Sequence, residues 1–261
     1  MEATKGKATT KAKNKYNALN YDNLRIVVPK GRKSEIQAVA QSAGDSLNGY
    51  VNKAIDERII RNKPSFAKAY TIIGGVNGTG KSSFSGVMRS LIPDLGFGVI
   101  IDVDKIIALN KVFPIEGGKI SIKLIAELLE NGESFAQETT LAGLKTQNTA
   151  ATAKDLGYFV RLYYIALDTP EECLKRISNR VTHGGHDIGE VDVRRRFAER
   201  WKSVKRILPH CDEAFFFDNN NGFTEVAEYS DGKLILKGDR HPQWVPELSK
   251  YLARHYIDCI R

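Results

Sequence analysis

The chain has little sulfur. Its 261 residues hold three cysteines and two methionines. Cys173, Cys211 and Cys259 are odd in number and stand 38 and 48 positions apart. That excludes a disulfide-dense scaffold, offers no metal-ligand spacing and points to reduced thiols in a cytoplasmic protein. Long apolar runs are absent too. None approaches the roughly 18 residues that a membrane-spanning helix needs. Met1 to Tyr16 is lysine-rich without an apolar stretch, so it does not read as a secretory signal. No internal repeat is visible. What is present is ordinary for a globular protein, with 42% hydrophobic and 27% charged residues. At roughly 100–200 residues per domain, the length allows one large domain or two unequal ones.

The positive charge is unevenly spread. Residues 1–62 hold 12 Lys/Arg against 6 Asp/Glu, a net of +6, and residues 63–261 hold 27 against 25, a net of +2. A basic N-terminal module beside a near-neutral one points to an anionic partner for the first module only. Within it, residues 1–19 are expected to be a disordered basic tail, having almost no apolar side chains.

Residues 20–62 carry a compact pattern. Asn23-Leu24-Arg25-Ile26-Val27-Val28-Pro29 alternates as a short strand that Pro29 ends. Ile36, Val39, Ala40 and Ala43 then recur at helical spacing up to Gly44. Ser46 is placed to cap a second helix bearing Leu47, Val51, Ala54 and Ile55. One strand and two short helices cannot close a core alone, whereas two copies pairing their strands can. This plan, with the SLNGYVNKAIDE stretch, resembles the ribbon-helix-helix modules of the Arc/MetJ type. The resemblance implies a homodimer through the ribbon and operator DNA as a partner, with Asn23, Arg25 and Val27 facing the bases. A segment that only dimerises or inhibits stands as the alternative. Pro64 breaks the pattern that follows, which puts a domain boundary between residues 62 and 63.

The strongest motif lies just beyond. Ala69 to Gly74 reads as a buried strand, and Gly75-Val76-Asn77-Gly78-Thr79-Gly80-Lys81-Ser82 matches G-x-x-x-x-G-K-[ST] in full. A helix bearing Phe84, Val87, Met88 and Leu91 follows, as the phosphate-binding mechanism requires. The expected nucleotide-binding set is Gly75, Asn77, Gly78, Thr79, Gly80, Lys81, Ser82 and Ser83. Lys81 would reach the β- and γ-phosphates of ATP, and the Ser82 hydroxyl would hold Mg²⁺. The domain is short and has no N-K-x-D guanine-specificity motif, which favours a small-substrate kinase over a switch or a motor.

Gly98 to Ile101 reads as a second strand, ending in Asp102-Val103-Asp104. Residues two apart at a strand end share a face. One carboxylate would then orient Mg²⁺ and the other would accept the proton of an attacking hydroxyl. The plainer alternative has Asp104 capping the next helix. A third strand at Ser134–Gln137 runs into Glu138-Thr139-Thr140, and a fourth spans Tyr158–Ile165. Further on come Arg176–Val181, Gly184-Gly185-His186-Asp187-Ile188 and Val193-Arg194-Arg195-Arg196-Phe197.

Taken in order, the phosphate loop, the D-x-D, the E-T-T and the R-V-x-x-G-G-H-x-I stretch with its arginine run resemble the zeta toxin kinases over about residues 68–255. The resemblance implies an α/β P-loop kinase with a mostly parallel sheet flanked by helices. It also implies transfer of the ATP γ-phosphate to the 3′-hydroxyl of the amino sugar of UDP-N-acetylglucosamine. It makes Asp104 the base, which leaves Asp102 for the metal with Ser82. Glu138 and Thr140 match positions that bind the nucleotide sugar, Lys81 the loop lysine and Arg180 a charge-neutralising arginine. A second arginine belongs in Arg194–Arg196. Helical geometry puts Arg195 opposite the apolar face formed by Val193, Phe197, Trp201, Val204 and Leu208, so Arg194 and Arg196 are the candidates.

Other residues keep plainer readings. Glu138 could cap a helix, and the arginine run could be a solvated helix start. His183 and His186 sit in a glycine-hinged lid rather than a metal site. A fifth strand is expected at Ala214–Asp218, a hairpin across Ser230-Asp231-Gly232 and a closing helix over Pro246–Leu252. The N-terminal module would act as an antitoxin in cis or as a DNA-binding autoregulator, and a separate antitoxin is a further possible partner. Rival functions are a small-metabolite or antibiotic kinase and a nucleotide-sensing repressor.

Overall fold

The computed structural model describes residues 24–62, 68–91, 97–182, 184, 187–230, 232–238 and 241–256. Contacts divide the chain into two units after Ile60. In the first, Arg32–Ser42 and Leu47–Asn62 form helices α1 and α2. Gly44, at a φ of +73°, ends the first, a left-handed conformation that suits glycine. Ser46 starts the second, its hydroxyl accepting from the Gly49 N–H at 3.1 Å. The expected strand over residues 24–28 is not formed in the single chain. Leu24, Ile26 and Val27 are exposed, because a lone strand has neither a ladder partner nor a surface to pack on. Asn23, the tail over 1–19 and the linker over 63–67 lie outside the described residues, as do His183, His186 and Cys259.

The second unit carries a seven-stranded sheet. Its strands are β1 (Ala69–Gly74), β2 (Val99–Asp102), β3 (Phe135–Thr139), β4 (Phe159–Ala166), β5 (Glu213–Asp218), β6 (Thr224–Ser230) and β7 (Lys233–Leu236). They lie in the order β2-β3-β1-β4-β5-β6-β7. The first five are parallel, and β6 and β7 extend the sheet antiparallel. β1 sits centrally and is buried along its whole length, which is why it reads as an unbroken apolar run. Chain order reverses beside it, and the carboxyl ends of β1, β2 and β3 open into the crevice where ligands of such sheets bind. This is the architecture of a P-loop kinase, a mostly parallel sheet flanked by helices.

The helices of this unit are α3 (Lys81–Leu91), α4 (Val103–Asn110), α5 (Pro114–Asn131), α6 (Lys145–Asp155), α7 (Pro170–Thr182), α8 (Glu190–Ala198), α9 (Arg200–Ile207) and α10 (Trp244–Tyr256). The sheet separates two cores. Tyr70, Ile72, Phe135, Trp201 and Trp244 belong to one; Ile73, Phe84, Ala136, Tyr163 and Ile165 belong to the other. A third cluster of Val76, Leu167, Cys173, Ile177, Val193 and Phe197 fastens α7 and α8 beside the phosphate loop. The expected continuous helix after Val193 is broken at Glu199, and the expected apolar face is split: Val193 and Phe197 are buried in the third cluster, Trp201, Val204 and Leu208 in the first core. Strands extend past their sequence-predicted ends: Asp102 closes β2, and β3 carries Glu138 and Thr139.

Candidate active site

A cavity of about 820 Å³ opens at the carboxyl ends of β1, β2 and β3. Its floor is the loop between β1 and α3. Gly78 has a φ of +85°, and a Cβ there would come within 2.4 Å of the Cys173 carbonyl oxygen. Gly80 has a φ of +96° and lies under the Asn219 amide, which donates to the Thr79 carbonyl at 2.8 Å. The loop is therefore packed from behind by α7 and by the turn after β5, and side chains at these two positions are excluded.

Lys81 donates from its ammonium to the carbonyls of Gly75 at 2.9 Å and Val76 at 3.1 Å. Burial lowers its pKa to about 8, against the opposing pull of Glu138, Asp104 and Asp102. Asn77, Gly78, Gly80, Ser82 and Ser83 also line the cavity. Gly75 and Thr79 do not; Thr79 is buried and its hydroxyl donates to the Val76 carbonyl, shaping the loop from within.

The acidic pair divides differently from the strand-end expectation. Asp102 is the last residue of β2, and its carboxylate accepts from the N–H groups of Asp104 and Lys105, capping α4. Asp104 is therefore a first-turn helix residue, exposed on the cavity wall, and does not cap the helix. Lys105 stands 3.6 Å from Asp102 and 4.0 Å from Glu138.

Glu138 faces the phosphate loop. The Ser82 hydroxyl donates to one carboxylate oxygen at 2.5 Å and the Ser85 hydroxyl to the other at 2.6 Å. Strand alternation explains this orientation. Ala136 and Glu138 point to the α3 side of the sheet, while Phe135, Gln137 and Thr139 point to the other side. Ser82, Asp102 and Glu138 thus gather hydroxyl and carboxylate oxygens, the donor type that suits Mg²⁺. Thr140 follows on the cavity wall.

The arginines separate cleanly. Arg180 and Arg196 line the cavity. Arg196 donates to the Asn77 side chain at 2.6 Å, tying α8 to the phosphate loop. Arg194 does not line the cavity, contrary to its candidacy; Glu171 and Glu190 each bind it at 2.7 Å on the surface. Arg195 pairs with Asp192 on the outer side of the helix. Arg25 and Val27, in the other unit, are exposed.

Several lining residues escaped the sequence reading. Arg176 is one of them, donating to the Asn219 carbonyl, and its spacing of four from Arg180 could have revealed it. Gln137, Thr146, Thr149 and Lys145 form the opposite wall with Gly118 and Ser121 of α5. Only the alternation within β3 hinted at Gln137. The two helices that contribute to this part of the lining, α5 and α6, carry no motif.

No protein-family model matches the chain. A curated protein from Haemophilus influenzae, described as an uncharacterized protein, is 35% identical over 128 residues, covering 47% of this chain and 88% of that protein. Among solved structures, a chain from the AvrRxo1-ORF1:AvrRxo1-ORF2 complex with sulphate ions has a TM-score of 0.51 at 12% identity, covering 92% of this chain and 94% of that one. A chain from the PezAT chromosomal toxin-antitoxin system of Streptococcus pneumoniae has a TM-score of 0.49 at 18% identity, covering 80% of this chain and 94% of that one. At 12% identity, the likeness to the AvrRxo1 structure is one of fold.

Proposed function

We propose a function for a chain that belongs to one family with the uncharacterized Haemophilus influenzae protein: it is an ATP-dependent phosphotransferase of the toxin-kinase type, acting on a nucleotide sugar. The observation that carries the reading is the single cavity lined by Lys81, Ser82, Asp102, Asp104, Glu138, Thr140, Arg180 and Arg196. The acceptor that the resemblance to the zeta toxin kinases implies is the 3′-hydroxyl of the amino sugar of UDP-N-acetylglucosamine.

Each residue has a task in that transfer. The loop backbone and Lys81 hold the β- and γ-phosphates of ATP. Asp104, exposed on the cavity wall, takes the proton of the acceptor hydroxyl as its oxygen bonds to the γ-phosphorus and the bond to ADP breaks. Arg180 and Arg196 offset the charge on the transferring group. Ser82, Asp102 and Glu138 would hold Mg²⁺, which when bound would neutralise phosphate oxygens. In this reading Glu138 serves the phosphate side, because both its oxygens already accept from hydroxyls of α3. Thr140 remains with the acceptor.

The segment over residues 20–62 is a separate ribbon-helix-helix module that dimerises through residues 24–28. It restrains the kinase in cis or binds operator DNA through Arg25 and Val27. Their exposure supports that role.

The test is phosphoryl transfer from ATP–Mg²⁺ to a panel of nucleotide sugars, followed by mass spectrometry. Full-length protein, a 63–261 fragment and Asp104→Asn are run side by side. Transfer to UDP-N-acetylglucosamine that Asp104→Asn lowers by about 10²–10⁴-fold supports the reading. Folded, ATP-binding protein that modifies no nucleotide sugar removes it. Lower transfer by the full chain than by the fragment supports restraint in cis.

A further inference from the structure

The phosphate side of the cavity is crowded with assigned groups. The opposite wall has none. It is made of Gly118 and Ser121 from α5, Gln137 and Thr139 from β3, and Lys145, Thr146 and Thr149 at the start of α6. Most hydroxyls there already have partners within the protein. Ser121 donates to the Gly118 carbonyl at 2.9 Å, and Thr139 shares a hydrogen bond with Thr146 at 3.2 Å.

Gln137 differs. It is buried yet lines the cavity. Its Oε1 accepts from the hydroxyl of Tyr70, which is fully buried in the neighbouring strand β1. Tyr70 pairs with Phe135 and Ile72 with Gln137, so tyrosine and glutamine point to the same face of the sheet, two residues apart along it. A tyrosine hydroxyl has one proton to give. Burial pushes the Tyr70 phenol well above its ordinary range, so that proton stays in place. With Oε1 taken up by this hydroxyl, Nε2 is the end of the carboxamide left for another partner. The Nε2 amide donates to no protein atom among the described residues. An amide donor without a protein partner on a cavity wall is a recognition element, because an acceptor oxygen entering the cavity can take it up in place of water.

We infer that Gln137 is a specificity-determining residue for the phosphoryl acceptor, donating from Nε2 to a neutral carbonyl or hydroxyl oxygen beside the reacting group, with Tyr70 as its positioning residue. The inference rests on the kinase reading and deepens it. The acceptor side of β3 is then the Gln137 face, while the Glu138 face serves the phosphates. The wall selects an N-acyl or hydroxyl substituent over a free ammonium, which has no lone pair to offer the amide.

Steady-state kinetics on the full chain test this with UDP-N-acetylglucosamine and UDP-glucosamine as acceptors. Gln137→Glu keeps the shape and the oxygen that receives the Tyr70 proton but removes the donor. The expected result is a fall of about tenfold or more in kcat/KM for the N-acetyl substrate. The ratio of the two substrates should shift toward the ammonium form, while ATP affinity by calorimetry stays within about twofold. Gln137→Leu should lose the N-acetyl preference without gaining the ammonium substrate. Tyr70→Phe should raise the acceptor KM several-fold with little change in kcat. Unchanged acceptor selectivity in folded Gln137→Glu overturns the inference while the kinase reading stands. A parallel loss of ATP affinity also overturns it, since Gln137 would then serve the loop. Wild-type protein that phosphorylates neither acceptor removes the kinase reading itself and this inference with it.

Discussion

At the scale of single residues, Lys81 makes the sharpest prediction. Its ammonium has a pKa near 8 without nucleotide, lowered chiefly by burial. Bound phosphates favour the charged form and draw the pKa upward. Below pH 8 the lysine is charged in both the free and the bound protein. Above pH 8 the free form has lost its proton and must regain it on binding. ATP binding should therefore take up close to one proton between pH 8 and the pKa of the complex, and affinity should weaken as pH rises through that range. Calorimetry at pH 8.5 in buffers of differing ionisation enthalpy reads this directly. Lys81→Met should abolish the buffer dependence together with most of the affinity. Gly78 makes a second prediction. Alanine there keeps a φ of +85° and meets the Cys173 carbonyl oxygen. The left-handed conformation alone costs about 1–2 kcal/mol. Gly78→Ala should lower the melting temperature by several degrees and ablate ATP binding, whereas Gly118→Ala, which enters open space inside helix α5, should hold or raise the melting temperature, since alanine is the better helix former.

At the scale of elements, α8 shows what a sequence can and cannot settle. Its apolar stripe set Arg195 on the outer side, where it pairs with Asp192. The same stripe placed Arg194 and Arg196 symmetrically beside it, so periodicity had no means of separating them. The separation comes from other elements: Glu171 on α7 draws Arg194 outward, and Asn77 in the phosphate loop draws Arg196 inward. Arg194→Ala should leave the melting temperature essentially unchanged, as loss of a solvent-screened ion pair does, and leave transfer intact. Arg196→Ala should lower kcat at least tenfold; equal losses in the two variants would contradict the division of α8. The phosphate loop was legible because its chemistry is local, eight consecutive residues between a strand and a helix. The acidic pair was half legible. Its composition was plain, but β2 ends on Asp102, so the two carboxylates lie in different elements and only Asp102 caps α4. The wall built by α5 and α6 was not legible, since its residues converge only when β3 takes its place between β2 and β1.

At the scale of the whole molecule, the open question is what completes residues 24–28. Leu24, Ile26 and Val27 are exposed by half or more, on a segment that has no regular secondary structure in the single chain. Leu24, Ile26 and Val28 alternate with Arg25 and Val27, which fits a strand that is half buried once paired. A second copy supplies an identical edge, and antiparallel pairing about a two-fold axis satisfies both at once. The full chain should therefore sediment as a dimer at micromolar concentration, and the 63–261 fragment as a monomer. Ile26→Lys should dissociate the full chain without changing its ATP affinity, because every described residue that lines the nucleotide cavity lies at or beyond Asn77. If Ile26→Lys remains dimeric, the pairing does not run through this segment. A full chain that sediments as a monomer would instead remove the dimeric module. The exposed apolar residues would then need a different partner, and a separate protein that binds residues 24–28 becomes the reading to test.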